Sequence, residues 1–301
     1  MVEPLDPRPA EDDATASAPS VLVRLRSVLY MPGANERALV KARDIPADGL
    51  ILDLEDAVAP GAKDGARASV CAAVAGGGYG DRTVTIRVNA IATEWHRADV
   101  AAAAACGCDA IVVPKVASAA DVHGVAGLMR DAGAPERTRI WAMLETPTAI
   151  LRASEIAAAS ERLSVLVMGT NDLAAELTVE SAPDRGPLLA ALSACVIAAR
   201  ASGRAILDGV YNDVRDLDGF RAECRQGRRY GFDGKTLIHP GQVEPCNTAF
   251  SPSAEEVTHA HRVIEAFEAA ARAGAGVATV DGRMIENMHV ASARRVLALA
   301  G

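Results

Sequence analysis

The chain reads as an α/β protein, a (β/α)8 TIM barrel with a C-terminal helical extension. Two observations predict this. Eight short apolar runs alternate with helix-patterned segments through the first 250 residues, the order that successive parallel βαβ units require. Polar and charged residues then gather just after those runs, at the end where barrel enzymes place their chemistry, whereas the runs begin in ordinary loop sequence. A doubly wound open sheet is the alternative, but no GxGxxG follows the first run, which removes support for its dinucleotide-binding version.

Residues 1–20 (MVEPLDPRPAEDDATASAPS) mix proline, acid, alanine and serine without periodicity and are expected to be disordered. They lack the basic region and apolar core of a signal peptide. The barrel is expected over 21–250. Its strand-like runs fall near 25–31, 49–54, 83–88, 110–114, 138–144, 164–168, 204–207 and 230–235. Helix-patterned segments lie between them, near 35–44, 62–75, 96–106, 118–132, 147–159, 187–202 and 213–227. Further helical segments near 253–274 and 286–300, joined by a glycine-containing stretch through Gly282, exceed what barrel closure needs. Residues 251–301 are therefore expected to form a helical arm at a subunit interface.

Composition narrows the class. Half of the 301 residues are hydrophobic but only 3% are aromatic, which suits alanine-rich helices packed closely on a Val/Ile/Leu sheet. A net charge of −8 and a pI near 5.3 argue against nucleic acid or an anionic membrane as partner. The six cysteines form no CxxC pair and sit in apolar contexts, as reduced thiols of a cytosolic protein do. No apolar run reaches the roughly 18 residues of a membrane span. A cytoplasmic protein is expected.

Two stretches carry the strongest chemical signal. In Trp141-Ala-Met-Leu-Glu-Thr-Pro-Thr-Ala-Ile150 and Val165-Leu-Val-Met-Gly-Thr-Asn-Asp-Leu-Ala174 an apolar run stops and a carboxylate appears where a helix begins. Thr146 can cap that first helix and Pro147 suits its first turn, so Glu145 is needed for neither job. Burying an unpaired carboxylate is costly, and Asp172 stands 27 residues later at the next such boundary. Two acids at the ends of successive buried strands are what a hard divalent cation requires. The alternative for Asp172 is a helix N-cap. Other strand ends are polar too: Asp53, Glu55 and Asp56, then Arg87 and Asn89, Lys115, Asp208, Lys235 and His239. For Asp56 an ion pair with Lys63 or Arg67 is the structural alternative.

In order and spacing, several segments resemble the citrate lyase beta-subunit-like branch of the HpcH/HpaI aldolase superfamily. They are Arg26-Ser-Val-Leu-Tyr-Met-Pro-Gly-Ala-Asn35, Leu52-Asp-Leu-Glu-Asp-Ala-Val58, Arg87-Val-Asn89, Val113-Pro-Lys115, Leu144-Glu-Thr-Pro147, Gly169-Thr-Asn-Asp-Leu173, Gly231-Phe-Asp-Gly-Lys235 and Ile238-His-Pro240. The resemblance runs from about residue 25 to the C-terminus. It implies a (β/α)8 fold, a Mg2+ ion and an oligomer, a trimer or a multiple of one. It also implies cleavage or formation of 3-hydroxyacyl-CoA thioesters such as citryl-, malyl-, methylmalyl- or citramalyl-CoA.

By the same resemblance Glu145 and Asp172 are the magnesium ligands, with the ion holding a small 2-oxo acid as Lewis acid and template. Glu55 and Asp56 hold metal-bound water, and Arg87 stabilises the oxyanion or enolate of the thioester. For the CoA phosphates, Arg24, Arg26, Arg37, Lys41 and Arg43 surround the turn Pro32, Gly33, Ala34, Asn35, whose N–H groups would face an anion at the start of a helix. Lys115 is a further candidate for that work.

The tail departs from the family pattern. Members that cleave such thioesters often carry aspartate in Gly-x-Met-Ile-Asp, reaching a neighbour's site, and here Glu286 takes that place. The carboxylate sits roughly 1.3–1.5 Å further out on ordinary bond lengths. It either serves as acid or base there or only charges a helix start. The expected function is a magnesium-dependent carbon–carbon lyase acting on a CoA thioester and releasing a 2-oxo acid. The other readings are an aldolase for CoA-free hydroxy-oxo acids and a non-catalytic CoA-ester-binding subunit.

Overall fold

The computed structural model describes residues 24–180, 182–275 and 277–300; the segment 1–20 expected to be disordered lies outside them. Eight parallel strands close into a barrel in sequence order, with the first paired to the eighth. They are β1 (Ser27–Pro32), β2 (Gly49–Asp53), β3 (Thr83–Arg87), β4 (Ala110–Val113), β5 (Arg139–Leu144), β6 (Leu163–Met168), β7 (Ala205–Asp208) and β8 (Gly234–Leu237). The helices among them are α1 (Glu36–Lys41), α2 (Lys63–Gly76), α3 (His96–Cys106), α4 (Ala119–Asp131), α5 (Pro147–Leu151), α6 (Ala153–Ala158), α7 (Thr170–Glu176), α8 (Leu189–Ala201), α9 (Leu217–Tyr230) and α10 (Val243–Phe250).

Alternation along each strand divides the side chains between two cores. Val28, Ile51, Val112, Trp141, Met143, Val165, Val167 and Leu207 turn inward and fill the barrel. Their neighbours Leu29, Leu50, Leu52, Ile86, Ile111, Ile140, Leu166 and Ile206 turn outward and join the helices in a larger core. Both faces are buried, which is why the strands read as continuous apolar runs.

Charged side chains fasten the starting ends of the strands. Arg26 grips Asp48 through Nε and Nη2, both at 2.8 Å. Arg82 donates to the carbonyls of Ala42 (2.6 Å) and Ile45 (2.7 Å), tying the segment between α1 and β2 to the start of β3. Asp109 and Asp233 accept the N–H groups of Val84 and Ile206 at 2.7 and 2.8 Å. The eighth strand starts later than its expected 230–235, because α9 keeps Arg228, Arg229 and Tyr230 and ends only at Gly231, in the left-handed region with φ 96°.

The described chain forms two compact units, the barrel at Leu25–Ser251 and a second unit from Pro252 onward. The second contains α11 (Ala254–Arg272), β9 (Ala278–Val280), β10 (Arg283–Ile285) and α12 (Asn287–Ala300). A hairpin therefore replaces the plain linker expected between the two helices. Its turn, Asp281-Gly282, has both φ angles positive (51° and 75°), as a tight two-residue hairpin needs. Ala260, Val263, Val280, Ile285, Val290 and Ala293 form this unit's own core. Among the described residues no helix is long and apolar enough to cross a membrane.

Candidate active site

The ends of β1, β2 and β3 bring one cation among several acids. Strand register sets Asp53 beside Arg87, and alternation points both inward with Tyr30. Arg87 donates from Nε and Nη2 to the two Asp53 oxygens, each at 2.7 Å, a planar two-pronged pair that lysine cannot reproduce. Its Nη1 lies 2.8 Å from Glu55 Oε2 and 3.4 Å from Asp56 Oδ2. The guanidinium carbon stands 4.9 Å from the centre of the Tyr30 ring, within cation–π range. The Tyr30 hydroxyl donates to Met143 Sδ at 3.8 Å, and burial pushes its phenol well above the ordinary range. Burial opposes the Arg87 charge, yet its bonds to Asp53 and the charges nearby outweigh that cost and hold it ionised well above its usual value.

The loop after β2 is held from outside. The buried Lys63 ammonium donates to the carbonyls of Leu54 (2.9 Å) and Glu55 (2.7 Å) and lies 5.5 Å from the Trp95 ring centre. Arg67 pairs with Asp64 and Asp99 instead. Neither basic residue meets Asp56, which excludes the structural pairing considered for it; Asp56 stays two-thirds exposed beside Arg87. Burial pushes the Glu55 carboxyl up to about 7, with Asp56 and Glu145 adding to the rise while Arg87 opposes it.

The second group of acids comes from β5 and β6. Thr146 caps α5 by accepting from Ala149 N–H at 3.1 Å, and Pro147 takes the first turn, so Glu145 is free to point into the rim. It lies across Gly169, where a Cβ would come within 3.1 Å of Glu145 Cδ and closer still to its Oε2 and Cβ; only glycine leaves this passage open. The Lys115 N–H, on a left-handed residue with φ 53°, donates to Glu145 Oε1 at 2.7 Å. Asp172 sits in the first turn of α7 without capping it, since the cap position is Gly169. Burial pushes the Glu145 carboxyl up to about 7, and the Asp172 charge contributes to the rise. The Lys115 ammonium is 3.9 Å from both Glu55 Oε1 and Asp172 Oδ1, linking the two groups of acids. With all groups ionised, five carboxylates (Asp53, Glu55, Asp56, Glu145, Asp172) face two cations (Arg87, Lys115).

Other expected residues lie elsewhere or are already engaged. Arg26 precedes β1 and is bound to Asp48 and Ser251 at the opposite end of the barrel, so the expected phosphate role is corrected to a structural one. Arg43 lies past the far end of α1 over the Tyr79 ring, so the basic cluster is close in sequence but divided in space. The turn Pro32, Gly33, Ala34, Asn35 does reach the rim. However, Gly33 N–H donates to Asp53 O at 2.9 Å and Asn35 N–H to Pro32 O at 3.1 Å, while the Asn35 side chain caps α1. Two of the donors expected for an anion are thus used internally.

Asp208 and Lys235 turn outward. They form a buried network with Arg185 and Glu223: Arg185 Nη1 lies 2.7 Å from Asp208 Oδ1, and Lys235 Nζ lies 3.2 Å from Asp208 Oδ2 and 2.7 Å from Glu223 Oε1. Asn89 is held by Asp99 (2.6 and 3.0 Å), and His239 accepts from Gly241 N–H as a local cap. Glu286 belongs to the second unit, where its N–H donates to His289 Nδ1 at 3.1 Å. Tyr30, Gly169 and the gripping role of Asp53 were not anticipated; counting alternate residues back from Pro32 would have marked Tyr30 as inward.

A closed barrel with acids and a fixed guanidinium at the carboxyl ends of its strands defines a (β/α)8 protein with an acid-rich rim. Residues 26–240 match the HpcH/HpaI aldolase/citrate lyase family, and the chain belongs to it. It is 53% identical over 275 residues to (3S)-malyl-CoA thioesterase of Cereibacter sphaeroides, covering 91% of this chain and 94% of that one. To the citrate lyase beta subunit of Escherichia coli it is 39% identical over 280 residues, covering 91% and 93%. The crystal structure of CitE from Mycobacterium tuberculosis in complex with magnesium, acetoacetate and coenzyme A superimposes with a TM-score of 0.75 at 31% identity, covering 91% of this chain and 97% of that one. These relatives place the protein in a CoA-ester lyase family, one of whose similar members is a thioesterase.

Proposed function

We propose that the protein is a magnesium-dependent enzyme acting on the CoA thioester of a 3-hydroxy dicarboxylic acid of the malyl-CoA type. The observation carrying this reading is the rim itself: Glu145 and Asp172 stand together opposite a guanidinium fixed by Asp53 and Glu55. The donors suit magnesium. They are hard oxygens, and the Glu145 carboxyl is held up chiefly by burial, with the Asp172 charge adding to the rise, a cost that a dication between the two would offset. Among the described residues no group of three or more His, Cys, Asp or Glu side chains forms a ready metal cage. Magnesium is commonly bound through one or two carboxylates, its remaining positions left to water and substrate. When bound, the ion supplies Lewis acidity toward the oxygens of the acid half.

Arg87 supplies the matching charge for the thioester. Asp53 and Glu55 take three of its five N–H groups in short bonds, which leaves the Nη1–H facing Asp56 at 3.4 Å and one Nη2–H for a carbonyl oxygen that gains negative charge. Glu55, with its carboxyl near 7, is poised to take or give a proton at neutral pH. Arg37, exposed on the first turn of α1, and Lys115 are candidate cations for CoA phosphate.

Two reactions use this arrangement. In hydrolysis, water adds to the thioester carbonyl, the C–S bond breaks and the thiolate takes the proton. In cleavage, the C2–C3 bond breaks as the 3-hydroxyl loses its proton and the α-carbon of the acyl-CoA gains one. Both build charge on the oxygen that Arg87 faces. Hydrolysis is the first reading, supported by 53% identity to a malyl-CoA thioesterase, and the lyase expected from the sequence is the second, supported by the citrate lyase relatives. Incubation of (3S)-malyl-CoA with magnesium separates them: free thiol with malate marks hydrolysis, and glyoxylate with acetyl-CoA and no free thiol marks cleavage. Neither product would overturn the proposal.

A further inference from the structure

We propose that Gly209 and Thr170 form a size-matched pair that seats α7 and so sets the position of Asp172. The inference rests on the reading of Asp172 as a magnesium ligand. Gly209 follows the last residue of β7, and Thr170 is the first residue of α7, two positions before Asp172. A Cβ on Gly209 would lie 2.6 Å from Thr170 Cγ2 and 2.9 Å from its Cβ, and closer still to Oγ1. Such contacts lie well inside van der Waals separation, so one of the two elements would have to move.

The surroundings decide which one. Gly209 is held by its N–H bond to Asp208 Oδ1 at 2.8 Å. Asp208 is fixed in turn by Arg185 and Lys235, and by close packing of α9, since a Cβ on Gly227 would lie 2.7 Å from Asp208 Oδ2. The end of β7 is therefore rigid. On the other side α7 has seven residues, no side-chain cap at its start, and a left-handed residue, Thr178 with φ 54°, just beyond its end. A methyl group at position 209 would push α7 rather than β7, and Asp172 with it. Gly209 and Thr170 are thus positioning residues: they touch no reacting atom and act through the placement of a carboxylate.

Titrating the full chain with magnesium chloride alone, by calorimetry at pH 8, tests this. The proteins are wild type, Gly209→Ala, Asp172→Asn and the double variant Thr170→Ala/Gly209→Ala. Gly209→Ala should weaken the magnesium Kd by about 10–100-fold, the range for residues that orient a ligand. The double variant should recover most of that loss, because removing Oγ1 and Cγ2 takes away the two closest contacts and leaves the Cβ–Cβ approach at 2.9 Å, which a shift of roughly half an ångström relieves. If Gly209→Ala alone does not fold, the double variant must still fold and bind. Wild-type affinity in Gly209→Ala, or no recovery in the double variant, would overturn the proposal. Equal affinity in wild type and Asp172→Asn would instead overturn the metal assignment, which keeps the two failures apart.

Discussion

Replacing Arg87 by lysine separates charge from geometry. The native guanidinium makes two 2.7 Å bonds to Asp53 and one of 2.8 Å to Glu55. An ammonium on a shorter stem keeps the charge but not the planar fork. Asp53 would retain its backbone donors, Glu55 N–H at 2.9 Å and Ala57 N–H at 3.0 Å, and lose one of its two guanidinium bonds. A charge-assisted hydrogen bond is worth about 1.5–3 kcal/mol, so the variant should unfold more easily by that amount in urea. The catalytic cost is a separate matter. If Arg87 meets the developing oxyanion, kcat for malyl-CoA should fall by about 10²–10³, with KM moving much less. Thiol release and 2-oxo acid formation read the rate, and denaturation on the same preparation reads the stability. Loss of stability with wild-type kcat would show that Arg87 only props up the rim. Loss of neither would refute the geometry described for it.

Three further outcomes are expected. Glu145→Gln and Asp172→Asn should each remove most magnesium binding while leaving the circular dichroism spectrum intact; unchanged calorimetric binding in both would refute the metal pair. In chelator, stability should fall as pH rises from about 4.5 to about 7, because burial holds the Glu145 and Glu55 carboxyls up near 7 and the folded state binds more protons than the unfolded one across that window. The effect is on the order of 3 kcal/mol for each group at most, and melting temperatures that rise steadily from pH 5 to 7 would contradict the sign. Mixing inactive Glu145→Gln and Glu286→Ala chains should restore activity if Glu286 completes a neighbour's site. A monomer in sedimentation, or no recovery after shown subunit exchange, would leave Glu286 as the charge that precedes α12.

Strand alternation accounts for much of what could be read in advance and for much of what was missed. The eight apolar runs mark strands because both faces are buried, and Glu145 stood out because such a run has no solvent-facing position for an acid. The same parity, taken one residue further, separates Asp208 and Lys235, which point outward, from Tyr30, Asp53 and Arg87, which point in. Arg26 stands away from the rim for another reason. It lies seven residues before Gly33 in the chain, but a six-residue strand carries those positions to opposite ends of the barrel. Gly169 and Gly209 were invisible because their role is a missing atom, and a missing atom matters only once Glu145 and Thr170 are seen against them. The hairpin at 278–285 did carry a sequence signal, the Asp281-Gly282 pair, between strands too short to show alternation.

The packed barrel interior has a consequence for traffic. Trp141, Met143, Val165, Val167, Ile51 and Val28 fill the barrel interior beneath the rim, so the charged rim stands on an apolar floor. No passage runs through the packed barrel, so a ligand of the rim arrives and departs at that end. If the protein cleaves a CoA ester as proposed, both products would leave from that same end of the barrel.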